Sequence, residues 1–119
     1  KTLLAQLKDG KVSIKEVTPA FFGVKPVDPS DLQCGSAEES AETLFRILTG
    51  KVNSTPKADI VIVNAAAGIL VGGKASDFQE AIALAQESVD SGAAYGKLKA
   101  MVKASGGTLS KLEELEAYD

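Results

Sequence analysis

The chain has little of the chemistry that most enzyme active sites use. It contains no histidine, and Cys34 is its only cysteine. Without histidine, a Ser-His-Asp triad cannot form, and both the commonest general base and the commonest zinc ligand are missing. A single cysteine excludes an internal disulfide and fits a reducing compartment, so we expect a cytoplasmic protein.

Long apolar runs and one-sided charge are missing as well. The longest nearly uncharged run, residues 60–73, is too short to span a bilayer, and no stretch resembles a signal peptide. The net charge is −3, and lysine and arginine are scattered without a basic stripe. We therefore expect neither a membrane nor a nucleic acid as a partner.

What the chain does have is ordinary globular composition. Apolar residues make up 45% and charged residues 24% of the 119 positions, which suits one domain with a moderate core. The sequence begins at Lys1, inside a strand-like stretch, which predicts a processed product or a piece of a longer protein. We predict a single partial domain over residues 1–119, with a strand and turn region at 1–35 and a helical region at 36–119.

The first region is predicted to be β. Residues 2–7 and 11–17 are strand-like, and the turn signal at 8–10 favours a hairpin because glycine adopts positive φ without steric cost. A two-stranded hairpin is marginal in water, so it must pair or pack with another part of the protein. After a proline-containing turn, residues 24–28 are expected to form one more short extended piece.

The second region carries helical patterns with capping residues at their starts and glycine at their ends. The predicted N-terminal caps are Ser36 with Glu39, Thr55 before Pro56, Ser76 with Gln79, and Ser110 with Glu113. The predicted stops are Gly50, Gly73, Gly92 and Gly106.

Three of these segments have apolar faces that predict the core. Residues 58–72 are expected to form a buried helix that is apolar on nearly every side. The other two predicted faces are Ala37, Ala41, Leu44, Phe45 and Leu48, and Phe78, Ala81, Ile82, Ala85 and Val89.

Four local strings could carry chemistry, but each has a simpler structural interpretation. Residues 71–74 contain two glycines and a lysine, yet they lack the spacing of a phosphate loop and are expected to end a helix. Glu38-Glu39 and Glu113-Glu114 point about 100° apart on a helix, so solvated surface is the better interpretation. Residues 62–68 resemble an element of short-chain dehydrogenases, without the dinucleotide turn that class needs. We assign no catalytic, substrate-binding or metal-binding residue.

One long stretch matches something specific. Residues 64–98, NAAAGILVGGKASDFQEAIALAQESVDSGAAYGKL, resemble the C-terminal signature of anthranilate phosphoribosyltransferases. Shorter elements upstream follow the same family in order: Leu7-Lys8-Asp9-Gly10, Thr18-Pro19 with Phe22-Gly23, Ser36-Ala37 and Leu48-Thr49-Gly50. Gly68 and Ala81 stand where the family usually has Ala and Gly. Asn64 itself is interpreted as a helix-packing residue.

The resemblance implies the C-terminal part of an α/β domain, in which a short β-hairpin or edge strands precede four or five packed helices. It also implies a homodimeric enzyme of tryptophan biosynthesis that transfers phosphoribosyl from phosphoribosyl diphosphate to anthranilate with Mg²⁺. The family's Gly-Thr-Gly-Gly-Asp loop, Lys-His-Gly segment and Asp-Glu metal pair do not occur in this sequence. The segment is therefore expected to be non-catalytic, with the remainder of the same enzyme as its partner.

Two other functions stay open at this point. A paralogue of the same fold could bind nucleic acid through a basic face on residues outside this chain. A free-standing module could instead dock partners through its Ala- and Gly-rich helices. In a partial domain we also expect one hairpin edge and one helix face to be uncovered, which favours association with itself or with the rest of the enzyme.

Overall fold

The structure, a computed structural model, describes residues 1–118 and begins with a β-hairpin. Strands β1 (Thr2–Lys8) and β2 (Lys11–Val17) are antiparallel, with Thr2 opposite Val17 and Lys8 opposite Lys11. Asp9 and Gly10 join them at φ of 51° and 74°, the backbone that a two-residue turn needs to match the strand twist. The predicted hairpin is confirmed.

Two short 3₁₀ helices follow, at Pro19–Phe22 and Pro29–Leu32. Residues 24–28 between them are irregular, so the extended piece expected there is not a strand. The physical reason is the lack of a pairing partner, since β1 and β2 are the only strands within residues 1–118. Asp28 instead caps the second 3₁₀ helix, accepting a hydrogen bond from the Ser30 N–H at 2.9 Å.

Five α-helices follow within residues 1–118, which agrees with the prediction of four or five. They are α1 (Ala37–Leu48), α2 (Pro56–Val71), α3 (Phe78–Asp90), α4 (Ala93–Ala104) and α5 (Ser110–Ala117). The four predicted stop glycines, Gly50, Gly73, Gly92 and Gly106, all adopt positive φ between 73° and 82°. Each ends a helix in the left-handed conformation that favours glycine.

Two of the four predicted caps are confirmed. The Ser36 hydroxyl accepts from the Glu39 N–H at 3.0 Å, and the Thr55 hydroxyl accepts from the Ala58 N–H at 3.3 Å. The Glu39 carboxylate accepts a hydrogen bond from the Gly35 N–H at 2.7 Å. In a standard capping box the donor would be the N–H of the cap residue itself, here Ser36.

The other two predicted caps were wrong. Asp77, not Ser76, caps α3 by accepting from the Glu80 N–H at 2.8 Å. Ser76 donates through its N–H and its hydroxyl to the Glu80 carboxylate. The capping box therefore uses Asp77 and Glu80, one residue later than the predicted Ser76 and Gln79, and Gln79 takes no part in it. Ser110 is already the first helical residue of α5, which has no side-chain cap.

The contact between α2 and α3 forms the centre of the fold. Ala66 and Ala81, both fully buried, pack with Phe78 at one end, and Ile62 packs with Ala85 and Val89 at the other. Residue numbers rise along α2 while those of the contacting residues fall along α3, so the two helices are antiparallel. Small side chains in the contact allow the backbones to approach closely.

An aromatic cluster joins the hairpin to this centre. Phe78 makes edge-to-face contacts with Phe21 and Phe22, at ring-centroid distances of 5.7 and 5.1 Å. Leu4 of β1 packs against the same cluster, and Lys15 of β2 lies 4.3 Å from the Phe21 ring centroid. One face of the hairpin is therefore fixed to the helices.

A second aromatic contact connects α1, α4 and α5. The Phe45 and Tyr95 rings meet edge-to-face at 5.5 Å. The Tyr95 hydroxyl donates to the Glu116 carboxylate, which also pairs with the Lys99 ammonium at 2.7 Å. Burial, followed by the hydrogen bond to Glu116, raises the pKa of Tyr95 to about 12.

The predicted apolar faces are only partly covered. On α3 the prediction is confirmed, since Phe78, Ala81, Ala85 and Val89 are buried. On α1 it was wrong for three positions: Ala37, Ala41 and Leu44 are exposed, whereas Ile47, outside the predicted face, is buried beside Phe45. An apolar stripe marks a face that can be buried, but burial also needs a neighbour on that side.

Helix α2 was predicted to be a buried helix that is apolar on nearly every side, but only one of its sides is buried. Ala58, Ile62 and Ala66 face α3 and the loops, while Ile60 and Val71 are 43% and 90% exposed. The chain is also less compact than its length allows. Its radius of gyration is 15.9 Å, against about 13.5 Å for a compact domain of this size.

Substitution of Ala81 with leucine tests the close contact of α2 with α3. We expect Ala81→Leu to lower the free energy of unfolding by about 1–3 kcal/mol, because added methylenes have no space there. Ala83 lies on the exposed side of α3, so Ala83→Leu should change that free energy by less than about 0.5 kcal/mol. Urea denaturation compares the two variants, and equal midpoints would contradict the close packing.

Titration of Tyr95 tests the junction of α4 and α5. The chain has two tyrosines, so Tyr118→Phe leaves Tyr95 as the sole absorbing phenol. Its ultraviolet titration should have a midpoint near pH 12, and Glu116→Gln should lower that midpoint. The folded state holds this proton more tightly than the unfolded state, where the pKa is near 10. The stabilisation is therefore complete below pH 10 and lost as pH rises through about 12. A midpoint unchanged by Glu116→Gln would rule out the contact.

Candidate functional site

The polar side chains of this chain form helix caps and surface pairs, not a reaction centre. Within residues 1–118, no group of three Asp, Glu, His or Cys side chains lies close enough to hold a metal ion. The acidic pairs Glu38-Glu39 and Glu113-Glu114 lie on exposed helix surface. Glu39 is engaged with Gly35 and, at 3.9 Å, with Lys57. These residues therefore do not fit a magnesium site.

The glycine pair at residues 72–73 ends α2, as the sequence analysis predicted. The Lys74 N–H donates to the Ile69 carbonyl at 3.2 Å, and the Gly73 N–H donates to the Leu70 carbonyl at 3.1 Å. This double hydrogen bond is a Schellman motif, which uses the N–H groups that a phosphate loop would offer to its ligand.

Asn64 does not pack between helices, contrary to our interpretation. Its side chain is exposed, and its amide donates to the Ile60 carbonyl of the preceding turn at 2.8 Å. Asn64 shares the exposed side of α2 with Ile60, Ala65 and Gly68, a side that faces away from α3. The hydrogen bond is local to α2 and involves no other element.

A groove of about 550 Å³ lies beside β1. One wall is residues 4–8 of β1, and the other is the last part of α2, at Ala67, Leu70 and Val71. Phe78 also lines it. The lining is predominantly apolar and contains one charged side chain, Lys8, so it offers few groups that could bind an anionic substrate.

The face of the hairpin that points away from the helices is an apolar surface. Leu3 and Leu7 of β1 are each 72% exposed, and Val12 and Ile14 of β2 are 67% and 66% exposed. They lie together because Leu7 is opposite Val12, and Ala5 is opposite Ile14, in the strand register. A large contiguous apolar surface on a folded domain is typical of a protein contact.

From the sequence we expected an uncovered hairpin edge and an uncovered helix face, at positions that were not specified. A signal for the location was present in β1, which is apolar at Leu3, Ala5 and Leu7 on one face and at Leu4 on the other. Apolar side chains on the outward face of a strand are typical of a sheet that is covered on that side, so Leu3, Ala5 and Leu7 indicated where the uncovered face lies.

Comparison with known families identifies the domain type. A family profile described as "Glycosyl transferase family, a/b domain" matches residues 1–95, about four fifths of the chain. The chain belongs to this glycosyl transferase family. The hairpin, the connecting 3₁₀ helices and α1 to α3 all lie within the matched part of the glycosyl transferase domain.

Individual relatives of this glycosyl transferase chain share one name, anthranilate phosphoribosyltransferase. The protein of that name from Methanococcoides burtonii is 43% identical over 107 residues, which cover 90% of this chain and 30% of the relative. That from Rhodopseudomonas palustris strain BisA53 is 38% identical over 104 residues, covering 87% and 30%. That from Methanosarcina barkeri is 41% identical over 103 residues, covering 87% and 26%.

The glycosyl transferase chain thus spans less than a third of the length of the curated relatives it matches. None of the helices within residues 1–118 is both long enough and apolar enough to cross a membrane. The surfaces described above, the groove beside β1 and the outer hairpin face, therefore belong to a segment that matches a minor part of each relative.

Replacement of Asn64 with alanine tests the local role of its side chain. We expect Asn64→Ala to leave the stability of this chain unchanged or to raise it by up to about 0.5 kcal/mol, because alanine is the better helix former. The thermal midpoint measures the effect. A destabilisation larger than about 1 kcal/mol would mean that the hydrogen bond to Ile60 matters more than helix propensity.

Proposed function

We propose that this chain is the C-terminal segment of an anthranilate phosphoribosyltransferase. The observation that carries the proposal is the 43% identity with the Methanococcoides burtonii protein of that name, which extends over 90% of this chain. The complete enzyme would transfer phosphoribosyl from phosphoribosyl diphosphate to the amino group of anthranilate, in tryptophan biosynthesis.

The segment itself has a structural role in this proposal. The transfer reaction needs backbone N–H groups or cations around a diphosphate, and a metal that neutralises its charge. The glycine pair that could offer N–H groups is consumed by the end of α2, and the acidic side chains within residues 1–118 do not converge. The phosphate site and the Mg²⁺ ligands would therefore lie in the other two thirds of the enzyme, which this segment supports through its hairpin and helices.

The remaining parts of the proposal concern the complete enzyme. It would be a cytoplasmic homodimer that uses Mg²⁺ and binds no nucleic acid. The net charge of −3 supports the last point, since nucleic-acid affinity is dominated by basic side chains near phosphates.

A segment exchange tests the function. In this experiment, the matched segment of the Methanococcoides burtonii relative is replaced by the corresponding residues of this chain. We expect the hybrid to consume anthranilate when given phosphoribosyl diphosphate and Mg²⁺, with kcat/KM within about tenfold of the parent. A loss of roughly 100-fold in kcat/KM would mean that catalytic groups are misplaced by about 1 Å. We do not expect such a loss, because the exchanged segment has the same fold as the one it replaces. Anthranilate consumption, followed by its fluorescence, is the measurement.

The control is residues 1–119 alone, which should neither consume anthranilate nor bind phosphoribosyl diphosphate in a calorimeter. A folded hybrid without transferase activity would count against the proposal. Retardation of that inactive hybrid by DNA or RNA at low salt, lost at high salt, would favour a nucleic-acid-binding paralogue instead.

A further inference from the structure

Strand β1 has one unpaired edge. In an antiparallel pair, alternate residues direct their N–H and C=O groups toward the partner strand, starting with the pair that flanks a two-residue turn. Lys8 and Lys11 are that pair, so even-numbered residues of β1 bond to β2. The backbone groups of Leu3, Ala5 and Leu7 therefore point away from β2, and no further strand lies beside them within residues 1–118.

The two edges of the hairpin differ in charge. Strand β1 carries no charged side chain from Thr2 to Leu7, whereas β2 carries Lys11, Lys15 and Glu16. Glu16 also pairs with Lys1 at 3.2 Å. Charged side chains, lysine above all, are the usual protection of a strand that stays at the edge of its sheet. The pattern thus marks β2 as the protected edge and β1 as the strand that continues the sheet.

The groove lies on the same side as the unpaired edge. Five consecutive residues of β1, from Leu4 to Lys8, line it, and no residue of β2 does. Successive side chains of a strand point to opposite faces, so a groove that touches five in a row runs along the edge and not across one face. Its length is about 17 Å, at about 3.3 Å per residue. That is the length of an average strand of five or six residues.

We propose that the unpaired edge of β1 receives a β-strand from the remainder of the enzyme, which would lie in the groove against the last part of α2. The identity of the added strand rests on the proposed function. The remainder of the enzyme corresponds to the part of each relative that this chain does not match, which is more than two thirds of its length. Strand β1 is then an inner strand of the complete sheet and β2 is its edge strand.

The surroundings of the groove fit such a strand. Ala67, Leu70 and Val71 of α2 provide an apolar surface for the side chains on one face of the added strand. Val71, 90% exposed in this chain, would be covered. The side chains on the other face would extend the outer apolar surface formed by Leu3 and Leu7.

Amide hydrogen exchange in the segment-exchange hybrid tests the proposal. We expect the amides of Leu3, Ala5 and Leu7 to exchange about 100-fold or more slowly than in residues 1–119 alone, since paired inner strands open with the stable part of a fold. The outward-pointing amides of Val12, Ile14 and Glu16 should stay fast in both proteins. Nuclear magnetic resonance resolves the individual sites.

Two proline variants of the hybrid give an independent measurement. Leu7 and Val12 are directly opposite each other and similarly exposed, and the N–H of each points away from the other strand. Leu7→Pro removes one hydrogen bond of the proposed pairing and should lower the thermal midpoint well below that of Val12→Pro. Proline on a true edge strand removes no ladder hydrogen bond.

The outcomes separate this inference from the proposed function. Protected Val12, Ile14 and Glu16 amides, or fast exchange at both edges, would overturn the edge assignment even if the hybrid is active. Slow exchange of the Leu3, Ala5 and Leu7 amides in an inactive hybrid would contradict the transferase assignment but would support the assignment of β1 as an inner strand. If the β1 amides of residues 1–119 alone become protected as the concentration rises, and the hybrid shows the same protection, the edge pairs with a second copy of the chain. That result would overturn the proposal. Equal thermal midpoints of the two proline variants would also count against it.

Discussion

The close contact between α2 and α3 is the constraint to which the hairpin, the first 3₁₀ helix and α4 are joined. The alanines in that contact, Ala66 and Ala81, bring two antiparallel helices close enough for Ile62 to reach Ala85 and Val89. Phe78 extends the contact to the rings of Phe21 and Phe22, and through these two rings to the hairpin. Ala94 of α4 packs against the opposite end. Since small side chains contribute little buried area each, the fit between the helices matters more here than the amount of apolar surface.

That limited core stands beside a large uncovered apolar surface. Burying a large aliphatic side chain contributes about 1.5–3 kcal/mol. The four exposed side chains on the outer hairpin face, Leu3, Leu7, Val12 and Ile14, could therefore contribute roughly 6–12 kcal/mol at most. A whole domain has a net stability of about 5–15 kcal/mol. The energy available from covering this face is thus comparable with the stability of a domain, which favours a segment of a larger fold over a free-standing module.

Local sequence rules predicted the hairpin, five helices and four glycine stops, because each depends on residues within one turn of the chain. They failed at the start of α3, where Ser76 and Asp77 are both able to cap the helix and the Asp77 carboxylate does so. They failed again on α1, because Ala37 and Ala41 form an apolar stripe whether or not a neighbour covers it. The groove beside β1 was missed because its walls, residues 4–8 and 67–71, are about 60 positions apart in sequence.

The departures from the family pattern also have a local physical account. A methyl group added at Gly68, where the resemblance leads us to expect alanine, would meet no atom within 4 Å, so either residue fits that surface of α2. Ala81, where the resemblance leads us to expect glycine, is fully buried against α2, and alanine costs a helix less backbone entropy than glycine does. Both positions lie in the stretch whose resemblance to the transferases is most specific, and both concern packing. A segment to which we assign no catalytic residue can therefore still indicate its family, because the packing between its helices restricts which side chains fit at positions such as Ala81.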